Sequence, residues 1–250
     1  MEQVDMKRLT DVLSGDFGRF VKAEQLAVTA LRKAIISGVL PPGQAIDEEV
    51  IAEMLELSRM PVRQAMGVLE SEGLVKRAYK RGVTVTELTP AEIEEIYTIR
   101  ATLENLAIRK AVPAYTAEHL EDVRKVLVSI NENDQDIEVF SELNHQFHTM
   151  LYEPSEWDTL NAMIVRLRNN VARYIAMSHH FLQQLPSVRA DHDRIFAACA
   201  ARDIETAGEL TQEHIFNAMR ILLESFERNA WTNEEVADRA QTAEARITEA

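Results

Sequence analysis

The sequence has few of the features that mark secreted or membrane proteins. Its one cysteine, Cys199, cannot form an internal disulfide, which fits a reducing compartment such as the cytosol. It has no apolar run of about 18 residues, the length that a transmembrane helix needs. The first twelve residues mix acidic and basic side chains without an apolar stretch, so we expect no signal peptide. These absences predict a cytoplasmic globular protein without a membrane partner.

Positive charge is also scarce: 27 lysines and arginines stand against 41 acidic residues, for a net charge of -14. The charge is unevenly distributed. Residues 1–88 hold 12 basic and 13 acidic residues, whereas residues 89–250 hold 15 and 28. Because duplex binding depends on neutralising phosphates, a locally basic segment is where DNA contact is expected. Residues 58–82 form such a segment, with two acidic residues against Arg59, Arg63, Lys76, Arg77, Lys80 and Arg81.

The N-terminal part has the pattern of a winged helix-turn-helix. Apolar residues recur at helical spacing within 23–37, 47–55 and 58–73, and Asp47 and Ser58 are suitable N-caps for the second and third helices. Strand-forming residues at 74–75 and 83–85 then flank a basic segment that contains glycine, which indicates a short hairpin. We therefore predict three helices plus a β-hairpin wing, forming a DNA-binding domain over residues 1–88.

Helical periodicity dominates the rest of the chain, and no strand pattern of comparable length occurs. It predicts six helices, over 90–111, 116–131, 135–152, 156–184, 187–200 and 203–229. The predicted fold class is therefore mostly α, with an all-α helical bundle over 89–230 for ligand sensing and dimerisation. Residues 231–250 are expected to form a terminal helix or a tail.

The basic segment resembles a known family of DNA-binding proteins. The run Ser58-Arg59-Met60-Pro61-Val62-Arg63, with Glu72-Gly73-Leu74-Val75 and Arg81-Gly82-Val83, is similar to the GntR family of regulators, and the similarity extends over about residues 25–87. The resemblance implies that Arg59 and Arg63 contact operator DNA from the start of the recognition helix. It also implies a wing tip at Arg81 and Gly82, next to the basic Lys80, and a capping and phosphate-binding role for Ser58.

The residue types suit these roles. A helix N-terminus carries partial positive charge, and an arginine can bind guanine O6 and N7 with two hydrogen bonds. Glycine lets the wing backbone approach DNA closely. The alternative is that these arginines only form a solvated helix face, but their position at a helix start beside a glycine wing favours DNA contact. Some family members have an arginine at the position of Glu49, so a third base-contacting arginine is not expected here.

A second resemblance begins at residue 89. The pattern Thr89-Pro90-x-Glu92…Tyr97-x-x-Arg100-x-x-Leu103-Glu104-x-x-Ala107 is similar to the start of the FCD-type effector domain of the FadR-like subfamily. That resemblance implies a divalent transition metal, with zinc first and nickel, manganese or cobalt as alternatives. The implied ligands are Asn144, His148, His192 and His214. Many members have aspartate in place of Asn144, and a neutral amide is a weaker metal donor.

Two polar residues of the first helix of this domain, Arg100 and Glu104, have two possible interpretations. Arg100 and Glu104 lie one helical turn apart, so they form either a surface ion pair of little energetic value or a pair in which Arg100 binds an anionic effector in the cavity. The four remaining histidines are expected to be surface or satisfied core residues: His119, His145, His179 and His180.

Together these observations predict a transcriptional regulator, more specifically a repressor, that binds a short inverted repeat of double-stranded DNA as a homodimer. A small carboxylate effector is expected to control its affinity for the operator. In two alternatives the metal is purely structural or is itself the signal. A metal-dependent enzyme is the third, but no H-E-x-x-H glutamate is present to act as a base, so we do not expect an enzyme.

Overall fold

The computed structural model describes residues 23–78, 82–132, 137–178, 181 and 183–227. Contacts divide the chain into two compact units. The first takes in the residues up to Leu88 together with Ala172–Met177, and the second takes in Thr89–Val171 and the described residues from Ser178 onward. The expected wing residues Lys80 and Arg81 and the segment 231–250 lie outside the described residues.

The first unit contains three helices and a small antiparallel sheet. The helices are α1 (Ala23–Ile36), α2 (Glu48–Met54) and α3 (Arg59–Ser71), and the strands are β1 (Ala45–Ile46), β2 (Val75–Ala78) and β3 (Gly82–Val85). The sheet order is β1-β3-β2, and β2 pairs with β3 as a hairpin, which confirms the predicted wing. The additional strand β1 was not predicted, because two residues are too short to show an alternating pattern.

The core of this unit fixes the position of the recognition helix α3. Leu31 and Ile35 of α1 and Met66 and Leu69 of α3 are completely buried. The predicted cap of α2 is confirmed, since Asp47 accepts hydrogen bonds from the backbone amides of two following residues. Ser58 precedes α3 as predicted, but its side chain makes no capping hydrogen bond, so that part of the prediction is wrong for the DNA-free protein.

The second unit is built from helices. They are α4 (Pro90–Ala111), α5 (Ala117–Glu132), α6 (Ile137–Tyr152), α7 (Asp158–Met177), α8 (Leu185–Ala200) and α9 (Ile204–Glu227); the last residues of α7 are grouped with the first unit. Helix α4 packs along α9, α8 packs against α9, and α6 packs against both α4 and α5. Within the described part of the chain, none of the helices has the length and apolar character needed to cross a membrane.

One predicted helix is wrong in extent. The sequence indicated a continuous helix over 156–184, whereas α7 ends at Met177. The Ser178 hydroxyl accepts a hydrogen bond from the backbone amide of Phe181 at 3.0 Å, which starts a new turn instead of continuing the helix. Within the described residues, the other five predicted helices agree with the structure to within two residues at each end. The predicted helical residues 135–136 and 228–229 lie outside the described residues.

The start of α4 is fixed by two reciprocal hydrogen bonds. The Thr89 hydroxyl accepts from the Glu92 amide at 3.3 Å, and the Glu92 carboxylate accepts from the Thr89 amide at 2.8 Å. This capping box fixes the first residue of the helix that carries Arg100 and Glu104.

The reactivity of the Cys199 thiol reports whether the second unit is folded. Its thiol is completely buried on α8, with Sγ 3.9 Å from the Tyr115 hydroxyl, and burial raises the pKa of the thiol to about 12. Because the thiolate is the reactive form, we expect alkylation by iodoacetamide at pH 8 to be about a thousandfold slower in the native protein than in denaturant. Mass spectrometry of quenched samples measures both rates, and a small cysteine peptide in the same tube controls for the reagent. Similar native and denatured rates would contradict the buried position.

Candidate metal centre

Three histidines from three helices converge inside the second unit. His148 of α6, His192 of α8 and His214 of α9 each offer a ring nitrogen, and these nitrogens all lie within 4.8 Å of one another. The ring centroids are 5.2 Å apart for His148 and His192, 5.2 Å for His148 and His214, and 4.7 Å for His192 and His214. The structure therefore brings together the three histidines that the FCD resemblance implied, from positions up to 66 residues apart in sequence.

The chemistry of this cluster fits a metal ion. Burial lowers the pKa of His148 and His192 well below the ordinary value, and the positive charge of the nearby Arg168 adds to the effect. Both imidazoles are therefore neutral at pH 7, as metal ligands must be. Among the described residues, neither ring nitrogen of the buried His192 has a hydrogen-bond partner. An unpartnered buried imidazole is costly, and coordination of an ion would remove that cost.

Asn144 lies one helical turn before His148 on α6. Its side-chain Oδ1 is buried and accepts no hydrogen bond, so it too is a polar atom without a partner. The FCD resemblance implied Asn144 as the fourth ligand, and an amide oxygen without a partner is a suitable donor for that role. The structure itself brings together the three imidazoles.

A chain of hydrogen bonds runs from His148 to α4. His148 Nδ1 lies 3.1 Å from the Tyr152 hydroxyl, which donates to Glu104 Oε2 at 2.8 Å, and Arg100 Nε donates to Glu104 Oε1 at 2.8 Å. Because Nδ1 of His148 is engaged, Nε2 is the nitrogen left to bind an ion. The guanidinium of Arg100 also lies 4.7 Å from the ring centre of the buried Tyr97.

Arg100 and Glu104 do not form a surface pair. They are only 6% and 0% exposed, so the surface interpretation of their spacing is wrong. Burial would lower the pKa of Arg100, but the neighbouring Glu104 and Tyr97 outweigh it and raise the pKa above its ordinary value. Arg100 therefore carries its charge inside the protein.

A second buried arginine gives this region surplus positive charge. Arg168 of α7 is 7% exposed, and its guanidinium makes long contacts with the backbone oxygens of Asn144 and His145, at 3.3 and 3.5 Å. Within the described residues, no carboxylate lies within ion-pair distance of Arg168, whereas Arg100 pairs with Glu104. Such an arrangement favours binding of an anion.

Asp191 lies next to the histidine cluster, outside it. Its Oδ2 is 3.5 Å from His214 Nδ1 and accepts from the Asn217 side chain at 3.3 Å. Burial would raise the pKa of Asp191, but contacts with His214, Asn217 and Arg194 hold it below its ordinary value. Asp191 and His214 also line a groove of about 330 Å³ between α8 and α9.

The other histidines within the described residues have separate environments. His119 Nε2 lies 2.9 Å from the Met150 backbone oxygen, and its ring stacks on Tyr115. Burial and the nearby Arg168 lower the pKa of His145 to about 4, but this ring is outside the cluster. His179 and His180 lie outside the described residues.

The predicted DNA-contacting residues lie on the first unit. Ser58, Arg59 and Arg63 are exposed at the start of α3, and Arg59 forms an ion pair with Glu49 of α2. Gly82 begins β3 with a φ of +69°, a conformation that favours glycine, which accounts for glycine at the wing.

Several residues at the centre were missed from sequence. Tyr152 follows His148 by four residues and so shares its helix face, which could have suggested a contact. Asp191 and Arg168 gave no such signal, because their partners lie on other helices.

Comparison with known families agrees with this division of the chain. Residues 23–85 match the family described as "Bacterial regulatory proteins, gntR family", and residues 95–217 match the FCD domain. The first match covers the helix-turn-helix and its wing, and the second covers α4 to α9 with the three clustered histidines.

Individual proteins show the same similarity. The chain is 29% identical over 188 residues to the uncharacterized HTH-type transcriptional regulator YdhC of Bacillus subtilis, covering 74% of this chain and 84% of that protein. It is 34% identical over 145 residues to an uncharacterized HTH-type regulator of Agrobacterium vitis, covering 56% and 84%. The solved structure of McbR/YncC from Escherichia coli has the same fold, with a TM-score of 0.76 at 24% identity over 83% of this chain and all of that one.

Proposed function

The chain belongs to the GntR family of bacterial transcriptional regulators and carries an FCD domain, and from this premise we propose that a small organic acid controls its binding to DNA. The acid binds in the second unit, on a transition metal held by Asn144, His148, His192 and His214, with Arg100 as an anion contact. The observation that carries this proposal is the convergence of three buried histidines beside a buried arginine.

The DNA contacts are proposed for the exposed start of α3 and the wing. We propose that Arg59 and Arg63 contact bases, that Ser58 donates to a phosphate, and that Lys80, Arg81 and Gly82 contact the backbone or minor groove. A homodimer places two recognition helices on the two halves of a short inverted repeat. Bound there, the cytoplasmic protein acts as a repressor.

Charge supports an anionic effector. Arg100 and Arg168 are both buried near His148, and a bound divalent ion adds further positive charge. Glu104 is the buried carboxylate that pairs with Arg100, and Asp191 lies beside His214. When bound, the metal supplies a Lewis acid on which a carboxylate oxygen can dock. A monoanion or dianion of small size therefore suits the site better than a neutral or cationic molecule.

Glu104 competes with an effector carboxylate for Arg100, because it is already the hydrogen-bond partner of this arginine. An effector carboxylate that binds Arg100 replaces Glu104 as its partner, and Glu104 is also the acceptor for Tyr152, which contacts His148. Effector binding therefore changes contacts on α4, α6 and the metal ligand together. It alters DNA affinity if the two DNA-binding states hold these contacts unequally, as linkage requires.

The metal site is tested by metal content. The protein is stripped of metal, incubated with zinc or nickel, desalted and measured by elemental analysis. We expect about one ion per chain for the unsubstituted protein and almost none for a His148→Ala/His192→Ala variant, because two of three imidazole ligands are lost. His145→Ala, on the same helix as His148 but outside the cluster, should keep its metal. An unsubstituted protein that takes up neither metal would refute the site.

The anion contact is tested by carboxylate binding to the zinc-loaded protein. A panel of small mono- and dicarboxylates is screened by thermal shift, and the best of them is titrated calorimetrically. We expect Arg100→Lys to weaken binding roughly tenfold to a hundredfold, since a charge-assisted hydrogen bond contributes about 1.5–3 kcal/mol. Glu104→Gln should strengthen binding, because it removes the competing carboxylate.

The control for these variants is Arg109→Lys, which changes an arginine of α4 that pairs with the exposed Glu205. It should leave carboxylate binding unchanged. If Arg100→Lys behaves like this control, Arg100 is not the anion contact.

The DNA contacts are tested by selection from random duplexes, which requires no knowledge of the operator. Against the selected duplex, we expect Arg63→Ala to lose about 1–3 kcal/mol of binding free energy, the value of one arginine–guanine contact. Glu49→Gln should raise affinity up to about fivefold, because it releases Arg59 from an exposed ion pair. Arg124→Ala, on the second unit, is the control and should bind normally.

The same duplex separates the alternatives for the metal. If zinc alone changes DNA affinity, the ion is the signal. If zinc raises thermal stability but neither zinc nor any carboxylate changes DNA affinity, the ion is structural and the effector proposal fails.

A further inference from the structure

Asp191 is the acidic residue that contacts the histidine cluster without joining it. It precedes His192 on α8, yet its carboxylate faces His214 of the neighbouring helix α9, with Oδ2 3.5 Å from Nδ1. The atoms of His148, His192 and His214 that could hold an ion form a group to which Asp191 does not belong. The geometry therefore does not favour Asp191 as a direct ligand of the metal.

Neighbouring side chains hold the carboxylate in place. Asn217, one turn after His214 on α9, donates to Oδ2 at 3.3 Å, and Arg194 lies 3.4 Å from Oδ1. Asp191 is itself nearly buried. The carboxylate thus has a fixed position beside one ring nitrogen of His214.

An imidazole that binds a metal through one nitrogen carries a proton on the other. If Nδ1 of His214 faces Asp191, the nitrogen that binds the ion is Nε2, and Nδ1–H needs an acceptor. Among the described residues His214 Nδ1 makes no hydrogen bond, and Asp191 Oδ2, at 3.5 Å, is a carboxylate oxygen within ion-pair distance of it. His148 shows the parallel arrangement, in which Nδ1 contacts Tyr152 and leaves Nε2 for the ion.

We propose that Asp191 is a positioning residue of the metal centre, which accepts the Nδ1 proton of His214 and so directs Nε2 towards the ion. This inference rests on the proposed metal site and adds a residue to it. A carboxylate in this role fixes the tautomer and the ring orientation and makes the imidazole a stronger donor. Asp191 lines the groove between α8 and α9, so it forms the outer side of the site as well.

The test is the affinity of the full-length, metal-stripped protein for zinc, measured by competition with a chromophoric chelator. We expect Asp191→Asn to bind zinc roughly 10 to 100 times more weakly than the unsubstituted protein. Asp191→Glu keeps the carboxylate and should recover part of this loss. The absorption spectrum of bound cobalt should also change in Asp191→Asn, because the orientation of one ligand changes.

Asp193→Asn is the matched control, since it removes the same charge from an exposed aspartate of the same helix. It should bind zinc as the unsubstituted protein does. Circular dichroism of each metal-free variant checks folding, and Asn217→Ala provides a second test, because it loosens the carboxylate without removing it and should weaken zinc binding by a smaller factor.

The outcomes are distinct. Equal zinc affinity for Asp191→Asn and the unsubstituted protein, or equal losses in Asp191→Asn and Asp193→Asn, would overturn the role of Asp191. If Asp191→Asn does not fold, normal zinc affinity in Asn217→Ala would overturn it. Failure of the unsubstituted protein to bind zinc would overturn the metal site itself, which is a different result.

Discussion

The stability of the second unit depends on hydrogen-bond and ion-pair partners for the polar side chains that its helices bury in one region. Arg100, Glu104, His148, Arg168, His192 and His214 are all buried in one region, where each polar atom without a partner carries a free-energy cost. The hydrogen bonds from Arg100 through Glu104 and Tyr152 to His148 meet part of this cost. They end at His148. Among the described residues the nitrogens of His192 have no hydrogen-bond partner, and Arg168 makes long contacts with the backbone oxygens of Asn144 and His145. A cation at the histidines and an anion at the arginines, as in the proposed function, would meet the remaining cost.

The sequence predicted those features of the fold that depend on interactions between residues close together in the chain. The helix starts at Asp47 and Thr89, the hairpin of the wing, and most helix ends follow from capping residues, glycines and apolar periodicity, which act over a few residues. The shared face of Asn144 and His148 follows from helix geometry alone. The break at Ser178 was missed because its hydroxyl caps a new turn within a segment whose periodicity continues.

Interactions between helices could not be obtained in the same way. The spacing of Arg100 and Glu104 shows that they are neighbours, but whether that face is buried depends on how α4 packs against α6 and α9. The convergence of His192 and His214 with His148 came from the resemblance to a family, because nothing in the spacing specifies it. Asp191 is the clearest case, because it is adjacent to His192 in sequence but its carboxylate contacts His214 on another helix.

The many acidic residues of the chain also affect its DNA-contacting unit, where they pair with basic side chains. Without DNA, basic residues there are paired with carboxylates: Arg59 with Glu49, Arg77 with Glu70, and Arg32 with Glu72. The first two pairs are exposed, so each contributes little to stability and gives way to phosphates or bases at small cost. The pair of Arg100 and Glu104 is buried and differs in this respect, because separating it requires another anion in the same place. In the proposed function, the effector meets this requirement and acts on α4, the helix that directly follows the DNA-contacting unit in the chain. Linkage is reciprocal, so an acid that lowers DNA affinity by a given factor is itself bound more weakly, by the same factor, when DNA is present.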